Sequence, residues 1–446
     1  MMNILTRLQN LNKILSKKEI KHLHQISQAM LAMSGRVTML GISRWTEISY
    51  RTVQRFFNGN YSWTELFFRF IFQHLFFLGG EYLLAGDESV ITKSGKKTHG
   101  LDYFFSGLLN KVTKGIAVFA LSLISVDEGT SYPLQVQQVI RTKAEKKATK
   151  TKSKKKSKGK SKQKVGRPKG KKNRDKTLIE WTPEMVRLYE MVKKQLLVFG
   201  DLITVRYLAL DGHFGNNNAL QTTLQAGLHL ISKLRYDSAL YFLYEGKQKK
   251  NGRKKKYGSK IDYQKIPKKY LVKEERDGHI LTRIYQVQAL HKAFAQRLNV
   301  VIITRTNLKS GAFANVNLFT SDLDLSYDKI IKYYSLRFQI EFNFRDAKQY
   351  WGLEDFMNIN EVPVTNAINL SFFMINLSQA LLKEFRQTNP KSGVIDLKAY
   401  YRAAKYFEET IKRLPKKPDP ILLEQIFGHI ATLGAIHNQK SCFSDA

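Results

Sequence analysis

The stretch that decides the fold is YSLRFQIEFNFRDAK, residues 334–348, in which the polar side chains follow a helical spacing. Tyr334, Arg337, Glu341 and Lys348 recur at intervals of three, four and seven positions. On an α-helix these four side chains fall within a stripe about 60° wide. The residues around the stripe are mostly apolar, so the helix is expected to be largely buried. A buried acid with basic neighbours predicts a polar site.

Other interpretations of this stretch stay open. Its apolar residues alternate with polar ones at period two, which favours a strand. The pattern nevertheless continues from about Asp328 to Tyr350, a length that favours a helix. On a helix, Arg337, Glu341 and Arg345 are also typical of an ion-pair ladder at four-residue spacing. We expect one unbroken helix over residues 328–350.

Asp87 and Asp211 are the other catalytic candidates. Each is predicted to follow the end of an apolar strand, at residues 82–85 and 205–210. Side chains at such positions on adjacent strands of an α/β sheet converge on one crevice, although a lone aspartate there is more often a turn residue. Carboxylates are favoured because the single cysteine, Cys442, and the ten histidines show no catalytic or metal-ligand spacing.

Charge and hydropathy indicate the partner class. The 446 residues include 74 Lys+Arg and 37 Asp+Glu, a formal net charge of +37, which favours a polyanionic partner. No uncharged apolar run reaches the roughly 20 residues that span a bilayer, and no signal peptide is visible. We therefore expect a cytoplasmic, nucleoid-associated protein that binds nucleic acid and no membrane.

Residues 1–78 predict an N-terminal helical DNA-binding domain. Apolar residues recur at helical intervals over residues 18–33, and Ser49 is a suitable N-cap for a short basic helix at residues 50–57. Two short helices joined by a turn resemble a helix-turn-helix, with Arg51, Gln54 and Arg55 facing DNA. The alternative is a small helical hairpin with a solvated basic face.

Residues 141–176 form a segment of distinct composition. They contain 19 Lys+Arg against two acids, and so few apolar residues that we expect a disordered insert. Within it, GRPKG at residues 166–170 is similar to an AT-hook core, in which Arg167, with Lys169 beside it, would enter the minor groove. A simple phosphate-binding tether is the favoured alternative, and we expect its deletion to flatten the salt dependence of DNA binding.

Three blocks together resemble insertion-sequence transposases of the DDE class. Tyr334, Arg337, Glu341 and Lys348 have the spacing of the YREK signature. GDES at residues 86–89, followed by Lys93, Gly95, Lys96 and Thr98, is similar to the first-aspartate block, with Ser89 where threonine is common. DGHFG at residues 211–215 is similar to the second-aspartate block. The blocks occur in the family's order and the likeness covers about residues 40–385.

The resemblance implies an α/β fold with an RNase H-like catalytic core. That core would occupy residues 79–235 and 321–362, interrupted by a β-rich insertion at residues 236–320 and followed by a helical region at residues 363–446. Asp87, Asp211 and Glu341 would be catalytic and would bind two Mg²⁺ ions, or Mn²⁺ in their place. Tyr334, Arg337 and Lys348 would hold DNA near the scissile bond.

The implied reaction is cleavage of transposon ends and joining of their 3′-hydroxyls to target DNA. The partners would be double-stranded DNA, namely terminal inverted repeats and target, with a homodimer in the synaptic complex. Hard carboxylate oxygens suit Mg²⁺, and two such ions stabilise the attacking and leaving oxygens of an in-line displacement. The alternatives are an inactive or domesticated DNA-binding protein, another RNase H-like nuclease and, least favoured, a basic RNA-binding structural protein.

Overall fold

The computed structural model describes residues 3–107, 109–142, 175–416 and 418–437. The N-terminal region is helical, as the periodicity predicts. Its helices are α1 (Ile4–Leu8), α2 (Lys17–Ala32), α3 (Met39–Arg44), α4 (Tyr50–Phe57) and α5 (Trp63–His74). Ser49 caps α4 by accepting a hydrogen bond from the Thr52 amide, which satisfies one of the free N–H groups of the first turn.

A mixed sheet of 12 strands dominates the rest of the described chain. Its strands are β1 (Tyr82–Thr92), β2 (Asp102–Ser106), β3 (Lys111–Ser125), β4 (Thr130–Val139), β5 (Tyr207–Leu210), β6 (His229–Leu234), β7 (Leu240–Leu243), β8 (Tyr257–Lys260), β9 (Leu271–Asp277), β10 (Ile280–His291), β11 (Leu298–Asn307) and β12 (Phe313–Thr320). The predicted α/β class is confirmed.

The order of the strands places β1 near one end of the sheet. The order is β2-β3-β1-β5-β6-β12-β11-β10-β7-β8, with β4 beside β3 and β9 beside β10. β1 pairs antiparallel with β3 and parallel with β5, and β5 pairs parallel with β6. β12 pairs antiparallel with β6, so the strands of residues 236–320 continue the sheet that carries Asp87 and Asp211.

Helices pack on both faces of the sheet. They are α6 (Pro183–Phe199), α7 (Asn217–Gln225), α8 (Tyr327–Leu336), α9 (Gln339–Tyr350), α10 (Glu361–Thr388), α11 (Val394–Ile411) and α12 (Pro420–Thr432). α6 begins and ends as predicted, because Thr182 caps it, Pro183 opens it, and Gly200 takes a positive φ of 50° after its last residue. Among the described residues, no helix is both long and apolar enough to cross a membrane.

Two predictions about local structure are wrong. Asp87 lies inside β1 and not past its end, because the strand continues to Thr92 by pairing with β3 along its whole length. The predicted helix at residues 328–350 is two helices, α8 and α9. At the junction, the amides of Phe338, Ile340 and Glu341 donate to carbonyls three residues back, so the chain forms one tighter turn between the two helices.

Candidate functional site

The two aspartates lie side by side on neighbouring parallel strands. Gly86 of β1 is paired with Leu210, the last residue of β5, and each acid is the next residue along the chain. Adjacent strands are separated by about 4.8 Å, so Asp87 and Asp211 have equivalent positions along the sheet. Gly86 leaves room for the Phe119 side chain, since a Cβ there would lie 2.6 Å from its ring.

Side-chain alternation decides which face the acids occupy. Leu83, Ala85 and Ala209 pack on one face of the sheet, in a cluster that includes Ile330 and Tyr333 of α8. Because alternate residues of a strand share a face, Asp87 and Asp211 are directed to this same side. The face that α8 covers is therefore the face that carries both acids.

The turn between α8 and α9 brings Arg337 to the acids. Its guanidinium contacts Asp87 at 3.4 Å and Glu341 at 3.2 Å, and its side chain is only 12% exposed. Arg337 Nε is buried without a hydrogen-bond partner, and its guanidinium lies 5.8 Å from the Tyr334 ring centre. One cation thus bridges a sheet acid and a helix acid.

The other two candidate carboxylates both influence the pKa of Asp87. Burial, as the largest cause, raises the pKa of Asp87 from 3.8 to about 6, and the negative charges of Asp211 and Glu341 act in the same direction. Arg337 and the Glu88 amide oppose the rise. Burial also raises the pKa of Tyr334, to which Asp211 and Asp87 contribute. The site is therefore rich in negative charge and short of compensating cations.

The fit to a divalent cation depends on Arg337. The donor set consists of carboxylate oxygens, which are the ligands that hard cations such as Mg²⁺ prefer. Within the described ranges, however, the side chains as placed form no group of three or more acids, histidines or cysteines that could hold a metal ion. The Arg337 guanidinium lies between Asp87 and Glu341 instead. The residues fit a metal chemically, provided that Arg337 moves.

Polar bonds fix α9 against the sheet. The buried Asn343 amide donates to the hydroxyls of Ser122 at 3.2 Å and Ser131 at 2.6 Å, on β3 and β4. Lys348, at the other end of α9, donates to the Val90 carbonyl of β1 at 3.0 Å. Lys348 and Arg337 are both expected to hold DNA. In this structure, Lys348 is bonded to β1 and Arg337 is bonded to Asp87 and Glu341.

Only the first of the two predicted ion pairs of the ladder is present. Arg337 pairs with Glu341, but Arg345 pairs with its neighbour Asp346 at 2.8 Å and not with Glu341. Arg345 is 56% exposed, whereas Arg337 is 12% exposed and lies between Asp87 and Glu341.

The residues predicted to contact DNA elsewhere lie apart from the acids along the chain. Arg51, Gln54 and Arg55 are exposed on α4, whose opposite side buries Val53 and Phe56. α4 packs on α2, α3 and α10, so its exposed side forms a basic face on the N-terminal helices. Arg167 and Lys169 lie outside the described residues, as does most of the segment at residues 141–176.

Two residues that support the site were not singled out for this role from the sequence. Asn343 is one, although a polar side chain in so apolar a stretch is a signal for it. Lys93 is the other: its side chain is buried and donates to the carbonyls of Glu354 and Phe356, at 2.9 and 3.0 Å. Lys93 thereby attaches the segment after α9 to the end of β1.

Comparison with known proteins identifies the family. A family model described as DDE superfamily endonuclease matches residues 10–296, more than half of the chain. The match contains Asp87 and Asp211 and ends before the helix of Glu341. No curated protein sequence matches the chain.

Proposed function

The chain belongs to the DDE superfamily of endonucleases, and on this premise we propose that it is an insertion-sequence transposase. It would bind the terminal inverted repeats of its element, cleave DNA strands there and join the free 3′-hydroxyls to target DNA. The observation that supports the proposal is the pairing of Asp87 and Glu341 with the guanidinium of Arg337, beside Asp211, whose charge also acts on Asp87. Acids from two strands and a helix have no structural need to share one site.

The strand order supports an RNase H-like assignment for the catalytic core. β1, β3 and β4 are antiparallel, and β5 and β6 lie parallel to β1 on its other side. The first acid lies on β1, the middle strand of the five in the order β4-β3-β1-β5-β6, and the second directly follows β5. The residues of the YREK signature then have distinct positions. Glu341 lies near Asp87, and Tyr334 and Arg337 lie before α9. Lys348 donates a hydrogen bond to β1.

Asp87, Asp211 and Glu341 would hold divalent cations, Mg²⁺ in the proposal. Bound there, such ions neutralise charge on the phosphate and lower the pKa of the attacking water or hydroxyl. Arg337 has the complementary role. With Asp87 and Glu341 engaged by cations, its guanidinium would be free to donate two hydrogen bonds to a DNA phosphate.

The chemistry is displacement at phosphorus. In cleavage, a water oxygen forms a bond to phosphorus and the P–O3′ bond breaks, which leaves a 3′-hydroxyl after the leaving oxygen gains a proton. In joining, that 3′-hydroxyl attacks a target phosphate and displaces its 3′ oxygen. One set of acids serves both steps, because the attacking and leaving groups are oxygens in each.

The test uses the purified full chain, Mg²⁺ and linear duplexes that carry the inverted repeats flanking its gene. We expect Asp87→Ala, Asp211→Ala and Glu341→Gln each to abolish strand cleavage while DNA binding is retained. Asp346→Asn is the matched control, because Asp346 is an acid on the same helix that pairs with Arg345 and not with Arg337. Cleavage retained by any of the first three variants rejects that residue's assignment.

A DNA-binding protein without cleavage activity is the second candidate. The observation that favours it is the position of Arg337, which satisfies two of the acids without a metal. Under this reading the wild-type chain binds duplex DNA equally well with Mg²⁺ or with chelator, and cuts it in neither. The same cleavage assay therefore separates the two candidates.

A further inference from the structure

A loop at the far end of the sheet carries the densest charge among the described residues. This loop, residues 247–256 between β7 and β8, is called the basic tip here. Seven of its ten residues are Lys or Arg, none is acidic, and all ten are exposed. The basic residues are Lys247, Lys249, Lys250, Arg253, Lys254, Lys255 and Lys256.

The basic tip is held in shape by its uncharged groups. The Gln248 side chain bonds both backbone groups of Lys255, donating to its carbonyl at 2.8 Å and accepting from its amide at 2.9 Å. The Tyr244 hydroxyl donates to the Lys247 carbonyl at 3.1 Å, and the Lys255 ammonium lies 4.6 Å from the Tyr244 ring centre. These bonds order the loop before any ligand arrives, which lowers the entropic cost of binding.

The charges of the basic tip are not neutralised by the protein. No ion pair joins its seven cations to a carboxylate in the part of the chain that the structure describes. The nearest acid in sequence, Glu245, pairs with Lys269 at 3.2 Å. Seven like charges on ten residues repel one another, so this arrangement is favourable only when a polyanion lies against it.

The charge and polarity of the basic tip indicate which polyanion fits. Its seven cations complement the phosphate backbone of duplex DNA, the partner of the proposed function. The tip has no apolar side chain to insert into lipid.

We propose that the basic tip is a second DNA-contact surface, which binds the phosphate backbone beside the last strand of the sheet order, away from the site of Asp87. Its placement relative to the scissile phosphate rests on the proposed function. Its affinity for duplex DNA does not, because phosphate contacts require neither the acids nor cleavage. The contact is independent of base sequence, because these lysine and arginine side chains bind the charge of the phosphates and not the edges of the bases.

The experiment measures binding of the full chain to a 40-base-pair duplex of arbitrary sequence, in chelator, over a range of salt. The tip variant combines Lys249→Gln, Lys250→Gln, Arg253→Gln and Lys254→Gln. The control variant removes the same charge from four separate exposed lysines, as Lys13→Gln, Lys309→Gln, Lys391→Gln and Lys416→Gln. Because the substituted side chains are exposed, both variants are expected to unfold at the wild-type temperature.

The expected result is a loss specific to the tip variant. If each of its four residues neutralises one phosphate, the slope of log K against log salt falls by about 3 to 4, and affinity near 0.15 M salt drops at least about tenfold. The control keeps the wild-type slope to within about one unit. An unchanged slope in the tip variant, or an equal fall in the control, overturns the proposal.

Two further arms identify the partner. We expect the tip variant to lose at least as much affinity for duplex DNA as for duplex RNA of equal length or for vesicles of anionic phospholipid. A loss confined to RNA or to vesicles overturns the proposal. Failure of the proposed function gives a different pattern: the wild-type chain would not cleave DNA with Mg²⁺, yet the tip variant would still bind duplex DNA less tightly in chelator.

Discussion

Asp87→Asn is expected to make the protein more stable while removing its activity. Burial and the neighbouring carboxylates raise the pKa of Asp87 from 3.8 to about 6 in the folded chain. The two pKa values differ by about two pH units, and each unit is worth about 1.4 kcal/mol. Ionised Asp87 therefore lowers the free energy of unfolding by about 3 kcal/mol, a cost that asparagine, which resembles the neutral acid, does not incur.

The pH dependence has a definite direction. Because the folded pKa is the higher one, the destabilisation is complete above pH 6, decreases as pH falls through 6, and disappears near pH 3.8. Without divalent cations, Asp87→Asn should exceed wild type by about 3 kcal/mol at pH 8 and equal it near pH 4. Adding Mg²⁺ should stabilise wild type more than the variant, since the ion binds only the folded site.

Urea unfolding in chelator at pH 8, 6 and 4, followed by circular dichroism, measures these differences. Asp322→Asn is the opposite-sign control. Asp322 accepts a hydrogen bond from the Tyr207 hydroxyl at 2.7 Å, and its pKa is lowered, so its neutralisation should destabilise the protein at pH 8. An Asp87→Asn protein no more stable than wild type at pH 8, or a gain that does not depend on pH, refutes the reasoning.

Three other substitutions test how the site is supported. Gly215→Ala, four residues after Asp211, would place a Cβ 2.1 Å from the Lys233 carbonyl oxygen. We expect the free energy of unfolding in urea to fall by about 1–3 kcal/mol and cleavage to be impaired. Gly95→Ala is the control and should be neutral, because a Cβ there makes only ordinary contacts. Lys93→Met leaves two carbonyls without their donor and should cost about 1–3 kcal/mol; a melting temperature equal to wild type would contradict this. Asn366→Ala removes the acceptor of the Trp63 indole N–H, at 2.7 Å, and two donations to the carbonyls of Phe57 and Gly59 at the end of α4. The free energy of unfolding should fall by about 2–4 kcal/mol. Binding of the terminal repeats should weaken in a gel-shift assay.

Helix ends were predictable because their signals are local. Ser49 before α4 and Thr182 with Pro183 before α6 act on the first helical turn alone, so the sequence contains all that determines them. The length of β1 was not predictable in this way. Its second half, from Asp87 to Thr92, mixes polar and apolar residues and is extended because β3 pairs with it, a partner that lies beyond any local pattern.

The candidate acids could be nominated from the sequence, but their arrangement could not. Spacing and resemblance nominate Glu341, and strand alternation explains why Asp87 and Asp211 share a face. The tightened turn after α8 has no proline or glycine to mark it. On one unbroken helix, Arg337 would lie on the same stripe as Glu341, and nothing in the sequence predicts that its guanidinium lies between two carboxylates.

The bonds from Asn343 to Ser122 and Ser131 determine where Glu341 stands along the sheet. Apolar contacts alone would allow α9 to shift along its axis against the sheet, because one apolar side chain can replace another in such contacts. A shift by one turn, about 5.4 Å, would leave a buried amide and two hydroxyls unbonded, which is costly. Asn343 therefore selects one position of α9 along the sheet. Because Glu341 lies two residues earlier on the same helix, its carboxylate is fixed to within less than one helical turn.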